Sequence, residues 1–189
     1  MEIYEAKNSL IDLSGLALEG RILDVGGGGE GIIARHSGDR VVVIDNQKEA
    51  LQEAPESGLK IVMDARKMKF LNQSFDVVTC FYALMYMEPA DVKKSLKEAL
   101  RVLRHGGAIL IWDAIIPSPT GDIFVAPLSV RISESETVTA AYGARWRRQS
   151  PEIILALCPG RGFKIEECRE DGVTFFLCLR KTGGKKRKR

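Results

Sequence analysis

Cysteine is scarce and scattered in this chain: Cys80, Cys158, Cys168 and Cys178 are the only four in 189 residues, with no C-x-x-C spacing. A zinc site of the usual ligand spacing is thereby excluded, and no other metal site is expected. Cys80, Cys168 and Cys178 lie in strand-like runs and Cys158 in an expected helix, so buried free thiols are the expectation. Long apolar runs are missing too. No uninterrupted stretch approaches ~20 residues, the length a helix needs to cross a bilayer. Met1 is followed by Glu2 and Glu5 and not by a basic-then-apolar leader. These absences point away from a membrane and toward a cytoplasmic setting.

A positive balance is missing from most of the chain. The formal net charge is +3, but Lys181, Lys185, Lys186, Arg187, Lys188 and Arg189 supply six positive charges at the end, and residues 1–180 carry −3 without them. Residues 181–189 are therefore expected to form a basic tail, made flexible by Thr182, Gly183 and Gly184. Such a tail is either a solubilising end or, through residues 185–189, an electrostatic contact for nucleic acid. The apolar content of 45% is ordinary for a globular protein. Residues 1–180 are long enough to bury one substantial core, and no internal repeat suggests a second domain.

What is present is concentrated in residues 21–31, Arg-Ile-Leu-Asp-Val-Gly-Gly-Gly-Gly-Glu-Gly. Ile22, Leu23 and Val25 suit a buried parallel strand. Gly26, Gly28 and Gly31 form G-x-G-x-x-G, and Ile32, Ile33 and Ala34 suit a helix start. A strand, a glycine turn and a helix in that order let a ligand approach bare backbone at the strand's carboxyl end. By itself the motif is also compatible with a plain tight turn.

The rest of the chain alternates strands and helices. Residues 5–17 suit a short amphipathic helix through Leu10, Ile11, Leu13 and Leu16. Val41–Asp45 is a β-branched run typical of a buried strand, Gln47–Glu53 is helical in composition, and Lys60–Asp64 and Phe75–Cys80 are further strands. Pro89 opens a helix whose apolar positions Val92, Leu96, Leu100 and Leu103 fall at helical spacing, with Gly106-Gly107 as its stop. Ala108–Trp112 is the fifth strand. Residues 122–132 and 136–147 then form an inserted hairpin, within about residues 120–148. Ser150 caps a helix beginning at Pro151, and 163–169 and 173–180 form a terminal strand pair. The expectation is an α/β fold with a doubly wound, mostly parallel seven-stranded sheet and a β-hairpin inserted after strand five.

Three acids fall at three successive strand ends: Asp24, Asp45 and Asp64. Carboxyl ends of parallel strands converge on the ligand crevice. Three carboxylates there suit a ligand rich in hydroxyl and amino donors and carrying positive charge, such as an adenosine whose ribose and exocyclic amine donate to them. Asp45 and Asp64 also have a plainer reading, as caps of the segments that follow. Asp76 suits a turn residue before the fourth strand.

With these residues in place the chain resembles class I S-adenosylmethionine-dependent methyltransferases, in the broad group that includes the ubiquinone/menaquinone-type enzymes. The matching residues are Leu23 to Gly28, Val43-Ile44-Asp45, Met63-Asp64-Ala65, Phe75-Asp76-Val77-Val78, and Glu98 to Gly107, in the family's order. The resemblance implies a Rossmann-like methyltransferase fold with a reversed last strand, and S-adenosylmethionine as cofactor. It implies that Gly26, Gly27 and Gly28 lie under the cofactor's methionine part and that Asp24 holds the loop or the cofactor's amino group. Asp45, with Asn46 beside it, would bind the ribose. Asp64 would accept from the adenine amine, the Ala65 amide would face a ring nitrogen, and Phe81 would line the pocket near the sulfonium.

The chain also departs from that pattern. Where the family places its third glycine stands Glu30, with glycine one residue later at Gly31. His105 stands where a proline usually precedes the double glycine. Met85 and Tyr86 stand where a histidine often follows the fourth strand, so no base is assigned. Tyr82, Tyr86 and Asp113, from the ends of strands four and five, and Tyr142 and Trp146, from the hairpin as a lid, are candidates beside the reacting methyl, each with packing as its alternative role. No Asn/Asp-Pro-Pro-Tyr/Phe run follows strand four, and Cys80 lacks an adjacent proline, which argues against the usual DNA-base chemistries. The acceptor is therefore expected to be a small molecule. The alternatives are an RNA or protein acceptor met through the hairpin and the basic tail, a non-catalytic nucleotide-binding protein, and a nicotinamide-dependent oxidoreductase, in which Asp24 would oppose the pyrophosphate.

Overall fold

The computed structural model describes residues 1–183, and all statements below concern those residues. The strands are β1 (Ile3–Glu5), β2 (Ser9–Asp12), β3 (Ile22–Val25), β4 (Val41–Asp45), β5 (Leu59–Val62), β6 (Phe75–Phe81), β7 (Leu103–Ala114), β8 (Ile123–Arg131), β9 (Thr137–Arg145), β10 (Phe163–Glu170) and β11 (Thr174–Lys181). The helices are α1 (Ile32–Ser37), α2 (Lys48–Glu53), α3 (Pro89–Val102) and α4 (Pro151–Leu157).

Seven strands form the main sheet in the order β10-β11-β7-β6-β3-β4-β5. From β7 to β5 the pairs are parallel, and β11 runs antiparallel to both β7 and β10. The chain builds β3, β4 and β5 outward on one side, then crosses to place β6 and β7 on the other. The order therefore reverses between β3 and β6, and such a switch point opens a crevice at the carboxyl ends of the strands. β3 is buried along its whole length and β4 nearly so, which is why both read as near-continuous apolar runs.

The two faces of the sheet are covered differently. On one, α3 buries Val92, Leu96, Ala99 and Val102 against Leu23, Val78, Ile109 and Leu177, and Ile154 of α4 joins them. The Ser150 hydroxyl accepts the Ile153 N–H at 3.4 Å, so α4 starts where the Ser-Pro pair predicts. On the other face lies a second, smaller sheet, in which β8 pairs in parallel with β1 and β2 and antiparallel with β9. Every second residue of β8, from Phe124 through Ala126 and Leu128 to Val130, is buried with Ile22, Ile33, Trp112 and Phe176 of the main body.

The inserted hairpin is thus present, but its sheet recruits the start of the chain. Residues 5–17 are not a helix: Ser9, Ile11 and Leu13 are buried and Leu10 and Asp12 exposed, the period-2 alternation of a half-buried strand. The helix opened by Pro89 also ends earlier than its glycine signal, at Val102, and Gly106-Gly107 falls inside β7 at an irregular register with β6. Asp76 lies within β6, where one oxygen accepts the Arg21 N–H at 2.6 Å and the other pairs with Arg104 at 2.7 Å. Cys80, Cys158 and Cys178 are buried, whereas Cys168 is exposed on the edge strand β10.

Lys181, placed in the tail by composition, instead closes β11, and its ammonium donates to the Leu100 and Leu103 carbonyls, both at 2.6 Å. Residues 185–189, with the nucleic-acid contact expected of them, lie outside the described residues. No described helix is long and apolar enough to cross a membrane.

Candidate functional site

The crevice at the switch point is a cavity of about 520 Å³, a volume typical of small-molecule sites. Asp24, Gly26, Gly27, Gly28, Asp45, Asn46, Asp64, Ala65 and Phe81 all line it. They come from the ends of β3, β4, β5 and β6, segments far apart in sequence that the parallel sheet brings to one edge.

The glycine loop turns sharply after β3. Gly26 has φ +73, and its N–H donates to the Ile44 carbonyl at 2.7 Å, tying the loop to β4. A Cβ at Gly28 would stand 2.6 Å from the Ala50 Cβ and 3.0 Å from Asp45 Oδ2. The backbone there passes too close to α2 for any side chain.

The three acids sit in three different environments. Asp24 is buried and accepts the Thr79 hydroxyl at 2.6 Å. Burial pushes its carboxyl up to about 7 against that hydrogen bond, and the nearby charge of Asp45 adds to the rise. Asp45 accepts the Gly28 N–H at 3.3 Å and the Gln47 N–H at 2.9 Å, so it ties the glycine loop to the start of α2 while one side faces the cavity. Asp64 lies two residues beyond β5. It accepts the Arg66 N–H at 2.8 Å and the Arg66 guanidinium through both oxygens at 2.9–3.0 Å, contacts that hold its carboxyl below the usual range. Arg66 reaches on to Asp91 at 2.9 Å. Among the described lining residues Arg66 is the single cation, facing Asp24, Glu30, Asp45, Asp64, Glu88 and Asp91.

The other end of the cavity is aromatic. Tyr82 follows β6 with φ +50, a left-handed backbone that non-glycine residues adopt chiefly under tertiary constraint. Its N–H donates to the Trp112 carbonyl at 2.8 Å, and its ring stacks on Tyr142 of β9 with centroids 4.8 Å apart. The Tyr82 hydroxyl is buried without a hydrogen-bond partner. Tyr142 is held above its usual range first by burial and then by the charge of Glu30. Tyr86 also lines the cavity and is pushed up to about 12, first by burial and then by the charges of Asp113 and Glu30.

Two of the residues considered beside the reaction centre lie elsewhere. Asp113 is buried, with Oδ2 accepting the Leu84 and Met85 N–H groups and Oδ1 accepting the Ala114 N–H and the Gln149 amide. Burial pushes its carboxyl up to about 7, but both oxygens are occupied and it holds the β6–α3 connection in place. Trp146 is no lid: its indole donates to the Pro117 carbonyl at 3.1 Å and its ring packs on Tyr4 and Phe124. Arg66, Glu30 and Ala141 line the cavity in addition to the contacts that the family resemblance implies. The sequence signal for Glu30 is its presence in place of the third glycine. The signal for Arg66 is its spacing of two residues from Asp64.

Comparison with known proteins adds to this geometry. A family model described as a methyltransferase domain matches residues 23–111. An uncharacterized methyltransferase of Bacillus subtilis, YcgJ, is 30% identical over 68% of this chain and 54% of its own length, so the chain spans about half of that relative. A ubiquinone/menaquinone biosynthesis C-methyltransferase of Azotobacter vinelandii is 26% identical over 84% of the chain and 71% of its own length. The solved structure of a SAM-dependent methyltransferase from Methanosarcina mazei superposes with a TM-score of 0.63, at 18% identity, covering 87% of this chain and 94% of that one. At that identity the structural likeness speaks for the fold.

Proposed function

We propose that the chain, which matches a methyltransferase domain over residues 23–111 and is similar to class I S-adenosylmethionine-dependent methyltransferases, binds S-adenosylmethionine in the cavity and methylates a small-molecule acceptor. One observation carries the reading: Asp24, Asp45 and Asp64 close the carboxyl ends of the adjacent strands β3, β4 and β5 around a single cavity with the glycine loop. A lining with six acids and one cation fits a ligand that is cationic and rich in hydroxyl and amine donors. It disfavours the pyrophosphate of a dinucleotide.

In this reading Asp45 accepts from the ribose hydroxyls, with Asn46 beside it. Gly26, Gly27 and Gly28 present backbone to the methionine part, and Asp24 faces its amino group. Phe81 covers the sulfonium side. Asp64 and the Ala65 amide take the adenine edge. Arg66 already donates to both Asp64 oxygens, so the adenine amine would share that carboxylate with the guanidinium.

Bound there, S-adenosylmethionine supplies a methyl group on positively charged sulfur. The protein's share is then largely alignment, a contribution that can reach ~7–11 kcal/mol, and a base is needed only for an acceptor that must lose a proton. Relatives named for quinone and sterol methylation support a small acceptor. Four free thiols fit a reducing, cytoplasmic setting.

Isothermal titration of the purified chain with S-adenosylmethionine, S-adenosylhomocysteine and NAD tests the proposal. Saturable binding of the first two without NAD binding is expected, and NAD binding alone would sink it. Mass-spectrometric screening of cell extracts for cofactor-dependent methylated products would then identify the acceptor.

A further inference from the structure

Resting on that cofactor reading, we propose that the acceptor is an amine, seated as its ammonium form between Glu30 and the rings of Tyr82, Tyr86 and Tyr142.

The acceptor end of the cavity is lined by Glu30, Phe81, Tyr82, Tyr86, Met87 and Tyr142. Three are phenols and one is a carboxylate. The nearby Glu88 is answered by Arg147 at 2.5 Å, and the cavity's own cation, Arg66, is bound by Asp64 and Asp91 at the opposite, nucleoside end. Among the described residues no cation forms an ion pair with the Glu30 carboxylate, which lines the same cavity as Tyr142.

Aromatic faces carry partial negative charge at their centres and attract cations, most strongly where water is excluded. Tyr142 stacks on the almost fully buried Tyr82 with planes 27° apart, so Tyr82 backs Tyr142 and fixes it as a wall of the cavity. Tyr86 is half exposed, at the mouth. A carboxylate beside such a wall complements an ammonium. It repels a carboxylate or phosphate acceptor, and it gives a quinone, which has no hydrogen-bond donor, nothing that a hydrophobic pocket would not.

Glu30 occupies the loop site where a glycine is expected from the family pattern, while Gly31 takes the left-handed turn at φ +59 that begins α1. The loop thereby carries a charged side chain toward β9 and keeps its turn. When a primary or secondary ammonium binds, Glu30 is placed to accept the proton that must leave before nitrogen can act as a nucleophile.

The test is a binding titration on the full chain saturated with S-adenosylhomocysteine, with tetramethylammonium as the probe and tert-butanol and acetate as uncharged and anionic comparators. Tetramethylammonium should saturate, about tenfold tighter than tert-butanol, and acetate should not bind. Glu30→Gln and Tyr142→Leu should each weaken the ammonium by about fivefold or more and leave S-adenosylhomocysteine affinity within about twofold. Tyr142→Phe, which keeps the ring, should retain most of the ammonium affinity and controls for folding.

Equal affinity for tetramethylammonium and tert-butanol would overturn the inference. So would an equal loss of both ligands in Glu30→Gln, which would assign Glu30 to the cofactor. If S-adenosylhomocysteine fails to bind while the ammonium still saturates, the cofactor reading falls and the cation site stands.

Discussion

Asp45 and Gly28 are joined across the site: the Asp45 carboxylate accepts the Gly28 N–H at 3.3 Å with one oxygen and the Gln47 N–H at 2.9 Å with the other. The residue proposed to hold the ribose therefore also sets the height of the glycine loop. Asp45→Ala removes an ionised acceptor from two hydroxyls and loosens the loop together. A hydrogen bond to a charged group contributes about 1.5–3 kcal/mol, so S-adenosylmethionine affinity should fall by about tenfold to a hundredfold. Asp64→Ala should cost less, because Arg66 already neutralises that carboxylate. Calorimetric titration of both variants checks the order. An Asp64 effect exceeding that of Asp45 would contradict the assignment.

Gly28→Ala probes the same contact from the other side. The new methyl would meet the Ala50 Cβ at 2.6 Å, which the backbone fixes, and Asp45 Oδ2 at 3.0 Å, on a carboxylate held by its bonds to Gly28 and Gln47. Overpacking of this kind costs about 1–3 kcal/mol. The variant should melt several degrees lower and lose most of its cofactor affinity. Gly29→Ala, beside it, has open space but φ +69, so it should be strained without a clash and do less damage to binding. Thermal melts read alongside binding separate the two effects.

Much of the main sheet is legible in the sequence because its central strands are buried on both faces and spell continuous apolar runs. The start of the chain is not. Leu10, Ile11, Leu13 and Leu16 satisfy a helical period and a strand period at once, and only the presence of β8 as a partner, some 120 residues on, decides between them. The glycine pair Gly106-Gly107 misleads for a related reason. A Cβ at Gly107 would stand 2.6 Å from the Asp76 carbonyl, so that glycine serves a close strand approach and not a helix stop. In the site, the three acids and the loop follow from strand order. The stack of Tyr82 on Tyr142 joins segments sixty residues apart and leaves no local trace.

Leu10 and Leu13 distinguish a strand from a helix at the start of the chain. In a helix they would share a face and both would be buried. In β2 and its extension Leu13 is buried and Leu10 is 57% exposed. Leu13→Ala should destabilise by about 2–5 kcal/mol, as large-to-small core changes do. Leu10→Ser should stay within about 0.5 kcal/mol. Urea unfolding of the two variants decides; comparable losses would restore the helix.

Asp24 ties stability and binding to pH with opposite signs. Burial raises its carboxyl from an ordinary 3.8 to about 7. The folded state therefore holds that proton more tightly than the unfolded chain. The stability this gives is full below about pH 4 and is lost progressively as the pH rises to about 7. A tenfold difference in proton affinity is worth about 1.4 kcal/mol, which sets an upper bound of about 4 kcal/mol on the loss. Asp24→Asn cannot ionise. Its melting temperature should fall less than the native chain's between about pH 5 and pH 8, and the difference isolates Asp24 from Asp113, which titrates in the same direction. Cofactor binding runs the other way. The cofactor's ammonium favours ionised Asp24, so affinity should climb through about pH 7 in the native chain and stay flat in Asp24→Asn. Binding near pH 6.5 should also release about one proton, seen as a dependence of the apparent heat on buffer ionisation, and that release should vanish in the variant.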